Sequence, residues 1–159
     1  MATQPSEKQA QTISLGDELA VIAQRAQTFT SASGAAIAMR EGNSEFITQA
    51  SSGSNAPDID SQVPLDGSFA GQAIKSGKDL RCDDAETDPR VDIFAARSLG
   101  IRPMIVIPIK DERQVFGILS VFAISPQSFT ITHVAVLKTM ADQVALLARR
   151  QRRGRADVF

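Results

Sequence analysis

The sequence predicts an α+β domain, an antiparallel sheet with helices at both ends of the chain. Three observations carry that reading. Leu15, Leu19, Ile22, Ala26 and Phe29 recur at spacings of four and three, which is the mark of an amphipathic helix with a heptad-like seam. Two pairs of strand-like runs, GAAIAMRE with SEFITQASSG and IRPMIVIPI with QVFGILSVFAI, are each joined by a short polar turn. The C-terminal stretch SFTITHVAVLKTMADQVALLARRQRR returns to helical spacing through Val134, Leu137, Ala141, Val144 and Ala148, broadened by Met140 and Leu147.

Residues 1–14 are polar and aperiodic, and read as a flexible tail ahead of the domain at 15–150. Ser31-Ala32-Ser33-Gly34 ends the first helix. In the first hairpin, Gly42-Asn43 can supply the positive φ of a tight primed turn. Ser54 to Pro64 is rich in Ser, Pro and Asp and reads as a loop. Ser68 is placed to cap a short helix, FAGQAIKSG, that Gly77 terminates. Asp79 to Cys82 forms a brief strand, and VDIFAARSLG a second short helix stopped by Gly100. Pro103 and Pro108 restrict the strand that contains them, since neither donates a backbone hydrogen bond. At the last helix Thr130 sits at the N-cap, Phe129 and Val134 at the two positions of a hydrophobic staple, and His133 where a capping box prefers Glu or Gln. The basic stretch 151–159 reads as a tail or linker.

The chain has 159 residues, enough for one domain with a real core. A net charge of −1 does not single out a nucleic acid or an anionic membrane as partner. With one cysteine, Cys82, no intrachain disulfide can form. The start MATQPSEKQAQ has no apolar core of a secretory signal, and no uninterrupted apolar run reaches the ~18 residues of a membrane span. The expectation is a cytoplasmic protein.

In order along the chain, GAAIAMRE, ITQASSG, FAGQAIKSGKDLRCDD, ETDPRVD, RSLGIRPMIVIPI and VFGILSVFAISPQSFTITH resemble a GAF domain over about Leu15 to Arg150. The resemblance implies a six-stranded antiparallel sheet. The terminal helices would lie on one face, and short helices and loops would cover a pocket on the other. It also implies a sensory module that binds a small molecule or dimerises through its terminal helices. The sequence departs from the pattern at Arg102-Pro103, where relatives usually carry Ser.

The acid-rich stretch RCDDAETDPRVD invites a metal site, but its spacing does not match an EF-hand loop. The simpler reading has Asp88 near the N-terminus of the following helix, accepting its free amides, with Arg90 and Arg97 pairing to neighbouring acids. On the resemblance this stretch borders the pocket, so Phe69, Asp84, Arg90, Asp92, Phe94 and Arg97 are the candidate ligand contacts. The arginines would meet an anionic group, and the phenylalanines an apolar body. Cys82 lacks a resolving partner and reads as a buried, inert thiol. His133 alone cannot hold zinc or haem. The expectation is therefore no catalytic residue, no metal and no cofactor. The alternative is a redox enzyme like the methionine sulfoxide reductases that share the fold, which the single cysteine disfavours. The terminal arginines lack interleaved aromatic residues, so nucleic acid is not expected. A homodimer is expected through Leu15, Leu19, Ile22, Leu137, Val144 and Leu147.

Overall fold

The computed structural model describes residues 14–112 and 114–157; the expected N-terminal tail lies outside them, apart from Ser14. Helix α1 spans Leu15–Thr30, strands β1 and β2 span Gly34–Glu41 and Glu45–Gly53, and helix α2 spans Phe69–Ser76. Strand β3 covers Leu80–Cys82, α3 Ile93–Leu99, β4 Met104–Lys110, β5 Val115–Phe122, and α4 Ile131–Asp157. The strands form one antiparallel sheet in the order β2-β1-β5-β4-β3.

The sheet has five strands among the described residues, where six were expected. The missing strand has a visible cause. The segment after β2 turns back along the outer edge of β2 and forms a single bridge, Ile47 to Gln62. Pro57 and Pro64 bracket it, and Asp60 has φ +73°, so it cannot stay extended long enough to continue the ladder.

Ser14 starts α1 by accepting the Asp17 amide at 3.1 Å, and Ser31 ends it in the left-handed region at φ 55°. The buried positions are Leu19, Ile22, Ala23, Ala26 and Thr30. The expected seam drifts at its end, leaving Phe29 59% exposed. A straight helix follows a period of 3.6, so the face reaches Thr30 where a heptad would have placed Phe29. The first hairpin turn also differs from expectation. Glu41 pairs with Glu45, so the loop has three residues, and only Gly42 among them takes a positive φ, at 64°.

The C-terminal helix is longer than the spacing suggested, and the basic stretch continues it to Asp157. Thr130 and His133 cap it reciprocally: the His133 amide donates to Thr130 Oγ1 at 3.4 Å, and the Thr130 amide donates to His133 Nδ1 at 3.2 Å. The imidazole thus takes the place of the usual Glu, and its ring meets Phe129 edge-on at 5.9 Å. By length and composition, Ile131–Gly154 would suffice to cross a membrane, although no uninterrupted apolar run was expected to. Lys138 and Asp142 interrupt it. In this fold its apolar stripe, Leu137, Ala141, Val144 and Ala148, is buried against α1 and the sheet.

The sheet separates two cores. On one face α1 and α4 pack on Ala35, Ile37, Ile105, Ile107, Leu119 and Val121. On the other, Phe69 and Ala73 of α2 and Ala96 of α3 pack with Cys82, Met104, Val106, Ile118 and Phe122. A bulge decides which residues of β2 serve which core. Ile37 pairs with Ala50 and Ala38 with Thr48, leaving Gln49 as the extra residue. Ala50 therefore joins the helix side, while Thr48 turns toward the other face.

Candidate functional site

A cavity of about 160 Å³ lies on the face away from α1 and α4. Its floor is Ala36 and Ala38 of β1, Thr48 of β2, Met104 and Val106 of β4, and Ile118, Ser120 and Phe122 of β5. The roof is Pro57, Ser61, Gln62, Val63 and Pro64, with Ala70 of α2. The space exists because β1 presents two alanines where its neighbours carry larger side chains. No ionisable side chain lines it.

Two buried hydroxyls give the floor its polarity. Thr48 Oγ1 is 3.1 Å from Ser61 Oγ on the roof. Ser120 also faces the cavity, where a ligand could use its hydroxyl. Such a lining suits a small, uncharged molecule with one or two hydrogen-bonding groups. The volume falls below the ~300 Å³ at which drug-sized ligand pockets begin.

The six sequence candidates lie elsewhere, and none lines this cavity. Phe69 opens α2 and is buried in the core, with the Arg90 guanidinium 5.0 Å above its ring. Arg90 also holds Asp88 through bonds of 2.6 and 2.9 Å and reaches the Arg81 carbonyl at 3.0 Å. Asp84 accepts two bonds of 2.7 Å from Arg102. Arg97 grips Glu86 at 2.8 and 3.0 Å. Phe94 is 78% exposed on α3. The structure thus brings Phe69 and Arg90 together and engages the other charged candidates in separate local contacts.

The cap of α3 is Asp92, whose carboxylate accepts the Phe94 and Ala95 amides at 3.1 and 3.3 Å. It is not Asp88, because the chain makes a turn at 88–91, closed by the Val91 amide on the Asp88 carbonyl, before the helix begins. Asp88 instead accepts the Arg90 amide at 2.9 Å.

The electrostatics of the acid-rich stretch follow from these pairs. Arg102 holds the Asp84 carboxyl down to about 2, mainly by hydrogen bonding, helped by the Glu86 amide. Arg97 lowers Glu86 and Arg90 lowers Asp88 in the same way. Among the described residues no three His, Cys, Asp or Glu side chains gather as ligands for one ion. Cys82 is fully enclosed, and its thiol is pushed up to about 12, first by burial and then by the Asp88 carboxylate. A thiol so held is protonated at neutral pH and is a poor nucleophile.

A second candidate surface lies between the terminal helices. Glu18, Val21, Ile22 and Arg25 of α1 face Gln143, Leu146, Leu147 and Arg150 of α4 across a groove of about 430 Å³. Of the expected contact residues, Leu19, Ile22, Leu137 and Val144 close the core of their own chain, and Leu15 and Leu147 are half-buried against it. The apolar surface left outward is Val21, 46% exposed, and Leu146, 52% exposed. Sequence spacing could not separate these, since both sets recur at helical intervals. For the cavity there was a signal in β5, where Ser120 stands between Ile118 and Phe122 on an otherwise apolar strand face.

Comparison with known proteins agrees with this fold. A family model described as GAF domain matches residues 12–147. No curated protein matches the sequence. The GAF domain of an Acinetobacter phosphoenolpyruvate-protein phosphotransferase superposes with a TM-score of 0.76 at 18% identity, over 92% of this chain and 89% of that one. Free methionine-R-sulfoxide reductase from Neisseria meningitidis, solved with its substrate, gives 0.72 at 18% identity, over 89% and 84%. The second GAF domain of DevS from Mycobacterium smegmatis gives 0.68 at 25% identity, over 88% and 99%. The first two likenesses are of fold alone.

Proposed function

The chain belongs to the GAF domain family, whose members serve as sensory and regulatory modules in many signalling proteins, and on that premise we propose a non-enzymatic, cytoplasmic sensor that takes one small uncharged molecule. The observation that carries this reading is the cavity itself, floored by alanines and two hydroxyls and lined by no ionisable group. A neutral site without acid, base or thiol favours holding a molecule over transforming it. The arginines expected to meet an anion are paired to acids, which supports a neutral ligand.

The redox alternative rests on the fold shared with free methionine-R-sulfoxide reductase. It calls for a reactive thiol beside the substrate. Cys82 is enclosed, strongly protonated and absent from the cavity lining, so the binding reading is better supported.

The proposed output is assembly of a homodimer through the outer faces of α1 and α4, with Val21 and Leu146 as its apolar centre. Ligand would matter by favouring one arrangement of those helices over another. Native mass spectrometry on freshly purified protein addresses both halves. The expected species is a dimer whose extra mass disappears on mild denaturation, and is absent from Ala38→Leu, which fills the cavity. A monomer at micromolar concentration refutes the assembly. Bare chains that no neutral metabolite in a panel stabilises against heat refute the ligand.

A further inference from the structure

We propose that the strap from Pro57 to Val63 is the gate of this cavity, latched to β2 through Thr48; the inference rests on the cavity being a ligand site. Every sheet residue of the floor is buried, from Thr48 at 1% to Phe122 at 8% exposed, so the width of the opening that the roof leaves sets how readily a molecule reaches it. The roof has two parts, held differently. The α2 part is anchored by buried Phe69 and by the approach of Gly71 to the Leu65 backbone. The strap is held to β2 by three backbone bonds: the Thr48 amide to Ser61 O at 2.9 Å, the Asp60 amide to Thr48 O at 2.8 Å, and the Val63 amide to Phe46 O at 2.8 Å.

Its local chemistry favours release as a unit. Asp60 holds φ +73°, in the left-handed region that a residue with a side chain adopts only at a cost. Ile59 at the apex is 57% exposed and anchors nothing. The flanks are fixed: Asn55 Nδ2 donates to the Leu99 carbonyl at 2.5 Å, and Ser68 Oγ donates to the Pro64 carbonyl. A segment tied at both ends and held between them to one edge strand by a short set of bonds opens by swinging rather than by unravelling.

Thr48 is the shared element. Its amide, carbonyl and hydroxyl all face the strap, and the same hydroxyl lines the cavity. An occupant that hydrogen-bonds Thr48 competes with Ser61 and loosens the strap, whereas a purely apolar occupant leaves the latch closed.

Amide hydrogen exchange tests the gate without a ligand. The Thr48, Asp60 and Val63 amides are expected to exchange together, roughly 100-fold faster than the central-strand amides of Ile37 and Leu119. Equal protection overturns the gate. Entry is tested with benzene, which fills apolar cavities of about this size. The double variant Ile47→Cys/Gln62→Cys places a disulfide at the bridge, where the surrounding bonds mark a non-hydrogen-bonded pair with Cα atoms about 4.5 Å apart. Cys82 is enclosed and does not compete for it. Oxidation is expected to slow benzene association about tenfold or more, and reduction to restore it. Equal rates in both states overturn the gate and leave the cavity standing. No benzene binding in either state, or in the unmodified protein, overturns the ligand site and the gate with it.

Discussion

Gly71→Ala sets two effects of opposite sign against each other. Gly71 lies inside α2, where alanine in place of glycine stabilises a helix by about 1 kcal/mol. A Cβ at this position would stand 2.1 Å from the Leu65 carbonyl oxygen and 2.6 Å from its carbon. Ordinary contact needs more than 3 Å, so α2 or the Leu65 backbone must retreat by about 1 Å. The obstacle is main chain and cannot rotate away. The helix is pinned as well, by the Ser68 side chain on the Gly71 amide at 2.9 Å and by buried Phe69. Overpacking of this kind costs roughly 1–3 kcal/mol and, against main chain that cannot move aside, falls in the upper part of that range, giving a net loss of up to about 2 kcal/mol after the propensity gain. For a domain of this size that is a fall in melting temperature of up to roughly 8 °C. Equilibrium urea unfolding reads it as a lower midpoint with an unchanged slope. Gly154→Ala is the internal control, because a Cβ there meets nothing within 4 Å, and it should be neutral or slightly stabilising. If Gly71→Ala also stabilises the protein, α2 does not sit against Leu65 as described, and the wall that Ala70 gives the cavity is misplaced.

Two further predictions concern ionisable groups. Asp84 has a folded value of about 2 against roughly 3.9 in an unfolded chain. Because the folded value is the lower one, its contribution to stability is complete above about pH 4 and is lost as the pH falls toward 2. Asp84→Asn should therefore destabilise the protein at neutral pH and flatten its acid limb, and an unchanged acid limb would show that the Arg102 pair contributes nothing. Cys82 is the reverse case, raised to about 12 from roughly 8.5. Its contribution is complete below about pH 8.5 and is lost as the pH rises toward 12. At pH 8 a disulfide reagent should label Cys82 only as fast as the protein opens, and Cys82→Ala should flatten the alkaline limb; immediate labelling of the native protein contradicts the enclosure.

What the sequence disclosed and what it withheld divide along physical lines. Caps and periodicity are local, so Ser68, Gly77, Gly100 and the Thr130–His133 pair were readable where they stand. The choice of ion-pair partner is not local. Asp84 turns to Arg102, eighteen residues away, which is near only because β3 pairs with the start of β4. Asp88 and Asp92 show how narrow the local signal is: both are acids ahead of α3, and a turn at 88–91 assigns one to an arginine and the other to the cap.

The cavity was the hardest feature to foresee, because its floor is assembled from four strands. Ala36 and Ala38 look like unremarkable small residues in β1 until β5 sets Ile118 and Ser120 beside them. The same reasoning explains the strand that did not form. The segment that would have extended the sheet beyond β2 contains Pro57, Asp60 at positive φ and Pro64, so it crosses the edge with one bridge and becomes a roof. A regular sixth strand there would direct every second side chain toward the helix-side core. The irregular strap instead sets Ser61 against Thr48 over a space large enough to hold something.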